Sequence, residues 1–173
     1  MHTIRIPFIL FFLLPVTLYA QRYQSQLRSW KWAATAEAGG VGSAFSVNIE
    51  YIPVQFKKSF VTLRGGLGYL GARYSMATVP QSVTWNILLN PNVKDCPPQV
   101  PLKSMFAEIG LGGAYLVNST TTVNYLYGPI LGIRRYFLFN ERTTGFWKAQ
   151  ISPVVTDHNV IPWGGLAIGI VLD

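Results

Sequence analysis

Phe45-Ser46-Val47-Asn48-Ile49-Glu50-Tyr51 is the stretch whose reading decides the fold. Phe45, Val47, Ile49 and Tyr51 fall on one face of an extended chain, and Ser46, Asn48 and Glu50 on the other. Successive side chains of a strand point to opposite sides, so this alternation marks a strand with one apolar and one polar face. The pattern recurs along the chain. One face carries Val61, Leu63, Leu67 and Tyr69; then Val83, Trp85 and Ile87; then Ile109, Leu111 and Tyr115; then Leu131 and Ile133; then Ile168, Ile170 and Leu172. The other face carries Thr62 and Arg64, Thr84 and Asn86, Glu108, Arg134, and Lys148 with Gln150.

The turn chemistry between these segments predicts eight strands, at about 30–39, 42–52, 59–70, 79–89, 104–117, 123–137, 145–155 and 163–172. Gly39-Gly40-Val41-Gly42 is read as the first hairpin turn, although residues 30–52 also fit one long strand kinked at its glycines. Each segment is close to the roughly 9–11 residues that a tilted strand needs to cross a bilayer. The expected fold class is therefore all-β: an eight-stranded antiparallel up-and-down transmembrane barrel.

A soluble sandwich also alternates, with its apolar face inside. Three features turn the apolar face outward. The polar face is rich in glycine (Gly66, Gly68, Gly110, Gly112, Gly128, Gly132), which suits a narrow interior. Aromatic residues gather near segment ends, with Trp30, Trp32, Tyr51, Phe137 and Trp147 toward one rim. Tyr69, Tyr115, Tyr125, Tyr127 and Trp163 lie toward the other; such rings favour the two membrane interfaces. Finally, six charges within strands, of mixed sign, lie on the polar face: Glu37, Glu50, Arg64, Glu108, Arg134 and Lys148. Inside a lumen they need partners, because an unpaired buried charge is very costly. Folding the fifth strand onto the sixth sets Glu108 opposite residue 133, and folding the sixth onto the seventh sets Arg134 opposite Lys148. The expected network is a row Glu108–Arg134–Lys148, balanced by Glu37 or Glu50, with Arg64 and Glu50 meeting diagonally.

The amino terminus reads as a signal peptide over residues 1–20: Arg5, an apolar run from Ile6 to Val16, then Ala20 before Gln21. Residues 21–29 form a short polar leader, and 30–173 the barrel. Charged residues make up 12% of the chain, against about 25% in an ordinary soluble protein. That shortfall suits a surface facing lipid. Without Arg5 the chain carries 13 basic and 7 acidic residues, a net +6. The basic residues are scattered, so nucleic acid is not an expected partner. Cys96 is the sole cysteine and stands in the loop composition Asp95-Cys96-Pro97-Pro98, which excludes an internal disulfide.

No cofactor is expected, and one histidine and one cysteine in the mature chain have no metal-ligand spacing. His158, in Thr156-Asp157-His158-Asn159, is the one candidate for chemistry, and a triad would need Ser152 and a carboxylate such as Asp157 to converge on it. The plain expectation is a loop histidine in a protein that is not an enzyme. Pro129 and Pro153 fall inside expected strands and, on the same fold point that pairs Arg134 with Lys148, lie opposite each other. Proline cannot donate to a ladder, so the pair reads as a rim-shaping bulge or as a lateral opening for lipid.

The order of these segments resembles small outer-membrane β-barrels of the OmpA/OmpX-like, eight-stranded kind common in Bacteroidota. The resemblance rests on Glu37-Ala38-Gly39-Gly40-Val41-Gly42 with Ser46-Val47-Asn48-Ile49-Glu50-Tyr51, on Leu63-Arg64-Gly65-Gly66-Leu67-Gly68-Tyr69, and on Ala107-Glu108-Ile109-Gly110-Leu111-Gly112. It continues through Gly132-Ile133-Arg134-Arg135-Tyr136 and Pro162-Trp163-Gly164-Gly165-Leu166-Ala167-Ile168-Gly169. It implies a barrel in the cell outer membrane, handled by the barrel-assembly machinery during biogenesis, and carries no defined activity. Such chains usually finish on an aromatic residue that this machinery recognises; here the last residues are Val171-Leu172-Asp173. The resulting expectation is a monomer with a side-chain-plugged polar lumen, with membrane lipid as its surroundings and a structural or rim-binding role. Two alternatives stand beside it: a lipid-modifying barrel enzyme using His158, and a secreted soluble barrel that binds an apolar ligand inside.

Overall fold

The computed structural model describes residues 31–41, 43–56, 58–71, 76–89, 104–117, 124–140, 143–155 and 160–172. The expected signal peptide and leader, Cys96 and His158 lie outside them. Among the described residues ten strands form one sheet: β1 Trp32–Gly39, β2 Phe45–Gln55, β3 Ser59–Leu70, β4 Met76–Leu88, β5 Met105–Val117, β6 Asn124–Asn140, β7 Thr143–Ile151, β8 Val154–Val155, β9 Val160–Ile161 and β10 Gly164–Leu172. Each long strand pairs antiparallel with its neighbours, and β10 pairs back onto β1 from Trp32↔Leu172 to Gly39↔Gly165. The eight long strands thus close into the expected barrel.

Residues 30–52 resolve as a hairpin, with β1 and β2 paired from Trp32↔Tyr51 to Ala38↔Phe45. Gly39 and Gly40 take φ of 76° and 95° at its turn, a backbone region that a side chain disfavours. The seventh strand is shorter than its composition suggests. It was expected to reach residue 155 but stops at Ile151, where Pro153 supplies no N–H and Ser152 N donates instead to Trp163 O at 2.8 Å. The chain then forms the small β8–β9 hairpin, which rejoins β6 at Tyr127↔Val155.

The registers fix the barrel's geometry. A path across the ladders from Lys31 runs through Ile52, Thr62, Thr84, Gly110, Ile130, Ser152 and Trp163, and returns to β1 at Val41, ten residues above its start. A stagger of this size over eight strands tilts them by about 40° and leaves an interior just wide enough for side chains. "Lower" below means the end where β1 begins and β10 finishes.

The faces sort as their alternation predicts. Leu67, Leu111 and Ile151 point outward at 73%, 69% and 65% exposure, while Glu50, Arg134 and Lys148 point inward at 0–1%. The tight interior explains its glycines: a methyl at Gly112 would come within 2.8 Å of Ile130 Cδ1 and 3.0 Å of Ser82 Cβ. Aromatic rings mark both rims. Trp32 packs on Tyr51 and Phe137 on Phe139 at the lower one, and Tyr115 packs on Tyr125 at the upper one. Tyr127 and Phe137 are ten residues apart on β6, about 25 Å along the axis at that tilt.

Candidate functional site

Among the described residues, charged side chains converge in the lumen, and strand parity puts them there. Glu37 on β1, Glu50 on β2, Arg64 on β3, Glu108 on β5, Arg134 on β6 and Lys148 on β7 all occupy inward positions, each no more than 5% exposed. Three acids face three bases, so the set sums to zero.

Four of the six form a single cluster. Arg134 Nη1 donates to Glu50 Oε2 at 2.7 Å and Arg134 Nη2 to Glu108 Oε2 at 3.3 Å. Lys148 Nζ donates to Glu50 Oε1 at 3.3 Å and lies 3.7 Å from Glu108 Oε1. Two acids and two bases alternate around a ring, so each charge touches two of opposite sign. Such an arrangement offsets the loss of hydration that a single buried charge would suffer.

The expected row Glu108–Arg134–Lys148 is present in space, with Glu50 supplying the second acid, but two details of the reading are corrected. Glu108 sits opposite Gly132, not residue 133, because the β5–β6 register is one residue tighter. Arg64 is directly opposite Glu50 in the ladder, yet its guanidinium turns to Glu37, since Arg134 and Lys148 already claim the Glu50 carboxylate. Arg134 is opposite Lys148 as expected.

The Arg64–Glu37 pair makes a second cluster above the first. Arg64 Nη1 donates to Glu37 Oε2 at 2.8 Å and Arg64 Nε to Ser82 Oγ at 3.0 Å. Ser46 Oγ and Asn48 Nδ2 each lie 3.4 Å from the same carboxylate oxygen as donors. Further up, Ser43 and Thr78 share a hydrogen bond of 2.6 Å.

Below the four-charge cluster the lumen changes character. Ala33, Ile52, Phe60, Tyr136 and Phe146 form a buried apolar group, with Phe106 and Val171 packed against it. Phe60, Phe106 and Tyr136 meet edge to face at 5.1–6.5 Å. Arg134 lies over Phe146, 4.6 Å from the ring centroid, so the plug and the charge cluster are joined through one side chain. An entirely polar lumen was expected; its lower end is aromatic instead. The signal was in the alternation itself, because Phe60, Phe106, Tyr136 and Phe146 each stand two residues from Thr62, Glu108, Arg134 and Lys148.

Pro129 and Pro153 fall opposite each other in the break between Leu131↔Ile151 and Tyr127↔Val155. The wall behind the break is filled, since Ile130 is fully buried and Ser152 nearly so. Among the described residues no cluster of three potential metal ligands is found.

The sequence matches no protein-family model and no curated protein. Among solved structures, the chain is similar to the N-terminal β-barrel domain of Pseudomonas aeruginosa OprF. The TM-score is 0.53, over 82% of this chain and 97% of that domain, at 12% identity. The likeness is one of fold.

Proposed function

We propose that this chain is an integral outer-membrane barrel whose lumen is closed by side chains, serving a structural or rim-binding role as a monomer and not as a pore or an enzyme. One observation carries the reading: large apolar side chains cover the outside while six charges are buried within. In water that arrangement is unfavourable, because it exposes a continuous apolar belt far larger than ordinary surface patches. In a bilayer it is the favourable one, and a belt about 25 Å tall between aromatic girdles is the height of a barrel's lipid-facing band. The OprF domain supports the same reading by its fold.

The closed lumen argues for a role at the surface. The aromatic plug, the four-charge ring and the Arg64–Glu37 cluster occupy successive levels of the interior. A soluble barrel with an apolar internal ligand would need the opposite lining. An enzymatic role would rest on His158; His158→Ala with unchanged membrane lipid composition is the result expected.

The test of the main reading is membrane fractionation combined with gel mobility before and after boiling. A folded membrane barrel stays with the outer-membrane fraction and changes mobility only when heated. Recovery in the soluble fraction without detergent would refute it.

A further inference from the structure

Between the two aromatic rims, the described outward positions carry apolar, small or aromatic residues except at Gln81 on β4 and at Arg135 on β6, which stands beside the lower rim opposite Trp147. The neighbours of Gln81 across both ladders are glycines, Gly65 on β3 and Gly113 on β5. The space at Gly65 is open: a Cβ there would meet nothing within 4 Å. The space at Gly113 is taken by the Tyr125 ring, which crosses over from β6. A groove of about 800 Å³ results on the outer face, within the range of small-molecule sites, roughly 300–1,000 Å³. Leu63, Val83, Leu111 and Pro129 line its deeper part, and Tyr125 and Tyr127 stand toward the upper rim. Among the described residues, no hydrogen bond engages the Gln81 amide.

We propose that this groove binds one diacyl membrane lipid, with the Gln81 amide N–H donating to an ester carbonyl. The inference rests on the membrane reading above. An amide on the lipid-facing wall at the edge of the hydrocarbon meets little water and is retained at a cost unless something there accepts its hydrogen bond. Depth selects the ester. Gln81 lies near the level of Pro129, and Tyr127 and Tyr125 are two and four residues nearer the rim on β6, about 5–10 Å higher along the tilted strand. Girdle aromatics sit at headgroup level, and the Tyr125 ring reaches down over Gly113 to the rung of Gln81, so the amide stands at the lower edge of the girdle, where the glycerol esters lie. One acyl chain then descends over Gly65 against Leu63, Val83 and Leu111. A second copy of this chain is the poorer occupant, because a concave patch meeting its own two-fold mate leaves a void at the centre.

The experiment uses the refolded barrel in phosphatidylethanolamine nanodiscs containing a trace of phosphatidylethanolamine with a photoactivatable acyl chain. After irradiation, the labelled positions are mapped by peptide mass. Wild type should label β3–β5 several-fold more per exposed residue than the β1–β10 face. Gly65→Leu fills the groove without meeting a neighbour and should reduce that preference to parity; Gln81→Leu should reduce it at least two-fold. Ala36→Leu, on the far side, should change nothing. Even labelling around the barrel, or a preference that survives Gly65→Leu, overturns the lipid site while leaving the membrane reading standing. Absence of insertion, with no label on any face, overturns both. A crosslinked dimer lost in Gln81→Leu would replace the lipid with a second copy and also overturn the proposal.

Discussion

Replacing Arg134 with methionine should be the most damaging single change in the lumen. The guanidinium holds Glu50 at 2.7 Å and Glu108 at 3.3 Å, and lies over the Phe146 ring at 4.6 Å. Without it, two carboxylates remain in a side-chain-filled interior with Lys148 alone, at 3.3 and 3.7 Å. Removing one partner of a buried ion pair costs about 3–5 kcal/mol, mostly because the other charge is left uncompensated. The lost cation–π contact adds about 1–2 kcal/mol. Arg134→Met should therefore destabilise the barrel by about 4–7 kcal/mol. Adding Glu108→Gln restores charge balance around Glu50 and Lys148, and should recover about 2 kcal/mol or more, a coupling that additive effects would not produce. The assay is equilibrium denaturation in lipid vesicles, following loss of the heat-resistant gel form for wild type, both single variants and the double. If Arg134→Met lies within 1 kcal/mol of wild type, or the double variant is simply the sum of the singles, the four-charge ring does not hold the lumen as described.

Other changes separate the parts of the structure. Arg64→Met strands Glu37 in the upper cluster and should cost about 3–5 kcal/mol in the same assay, while Ser82→Ala, which removes only one neutral acceptor, should cost about 1 kcal/mol. Ile109→Arg places a cation in the middle of the outer belt and should destabilise the membrane-inserted barrel by about 2–4 kcal/mol; an unchanged midpoint would count against a lipid-facing surface. Phe146→Ala empties the centre of the aromatic plug and should cost about 3–5 kcal/mol, with increased ion leakage across planar bilayers as a second readout. Amides of Leu131 and Ile151, paired directly across β6 and β7, should exchange slowly by hydrogen–deuterium exchange, whether or not lipid ligands are added; rapid exchange there would favour a lateral opening at Pro129 and Pro153.

Most of the barrel can be read from alternation, because a two-residue period leaves no choice of face once one charge is placed inside. Arg64, Glu108 and Lys148 each fix the orientation of a whole strand, while on β6, where Arg134 and Arg135 are adjacent and face opposite sides, Leu131 and Ile133 decide it. Register was legible only where turns were short. The β6–β7 turn is tight, so Arg134 and Lys148 could be set opposite each other by counting; the longer β5–β6 connection hid a shift of one residue at Glu108. Partner choice was not legible at all. Whether Arg64 goes to Glu37 or Glu50 depends on which carboxylate Arg134 and Lys148 have taken, and that competition runs across strands far apart in sequence. The aromatic plug was missed for a different reason: phenylalanine on a nominally polar face reads as an exception in one strand and as a layer only when four strands are stacked. The end of β7 turns on a single proline and on a hydrogen bond from Ser152 to Trp163, which composition around residues 145–155 does not reveal.

The join between the first and last long strands has a kinetic consequence. Trp32 and Leu172 are neighbours in that ladder yet stand 140 residues apart in the chain. Bringing such distant partners together costs about 4 kcal/mol in loop-closure entropy beyond a constant term, and nothing is returned until the rungs begin to form. Until then, β1 and β10 each present a row of unsatisfied backbone groups, ready to pair with any passing strand. Folding should therefore be slow and close to all-or-none, and the unfinished ribbon needs shelter until its two margins meet.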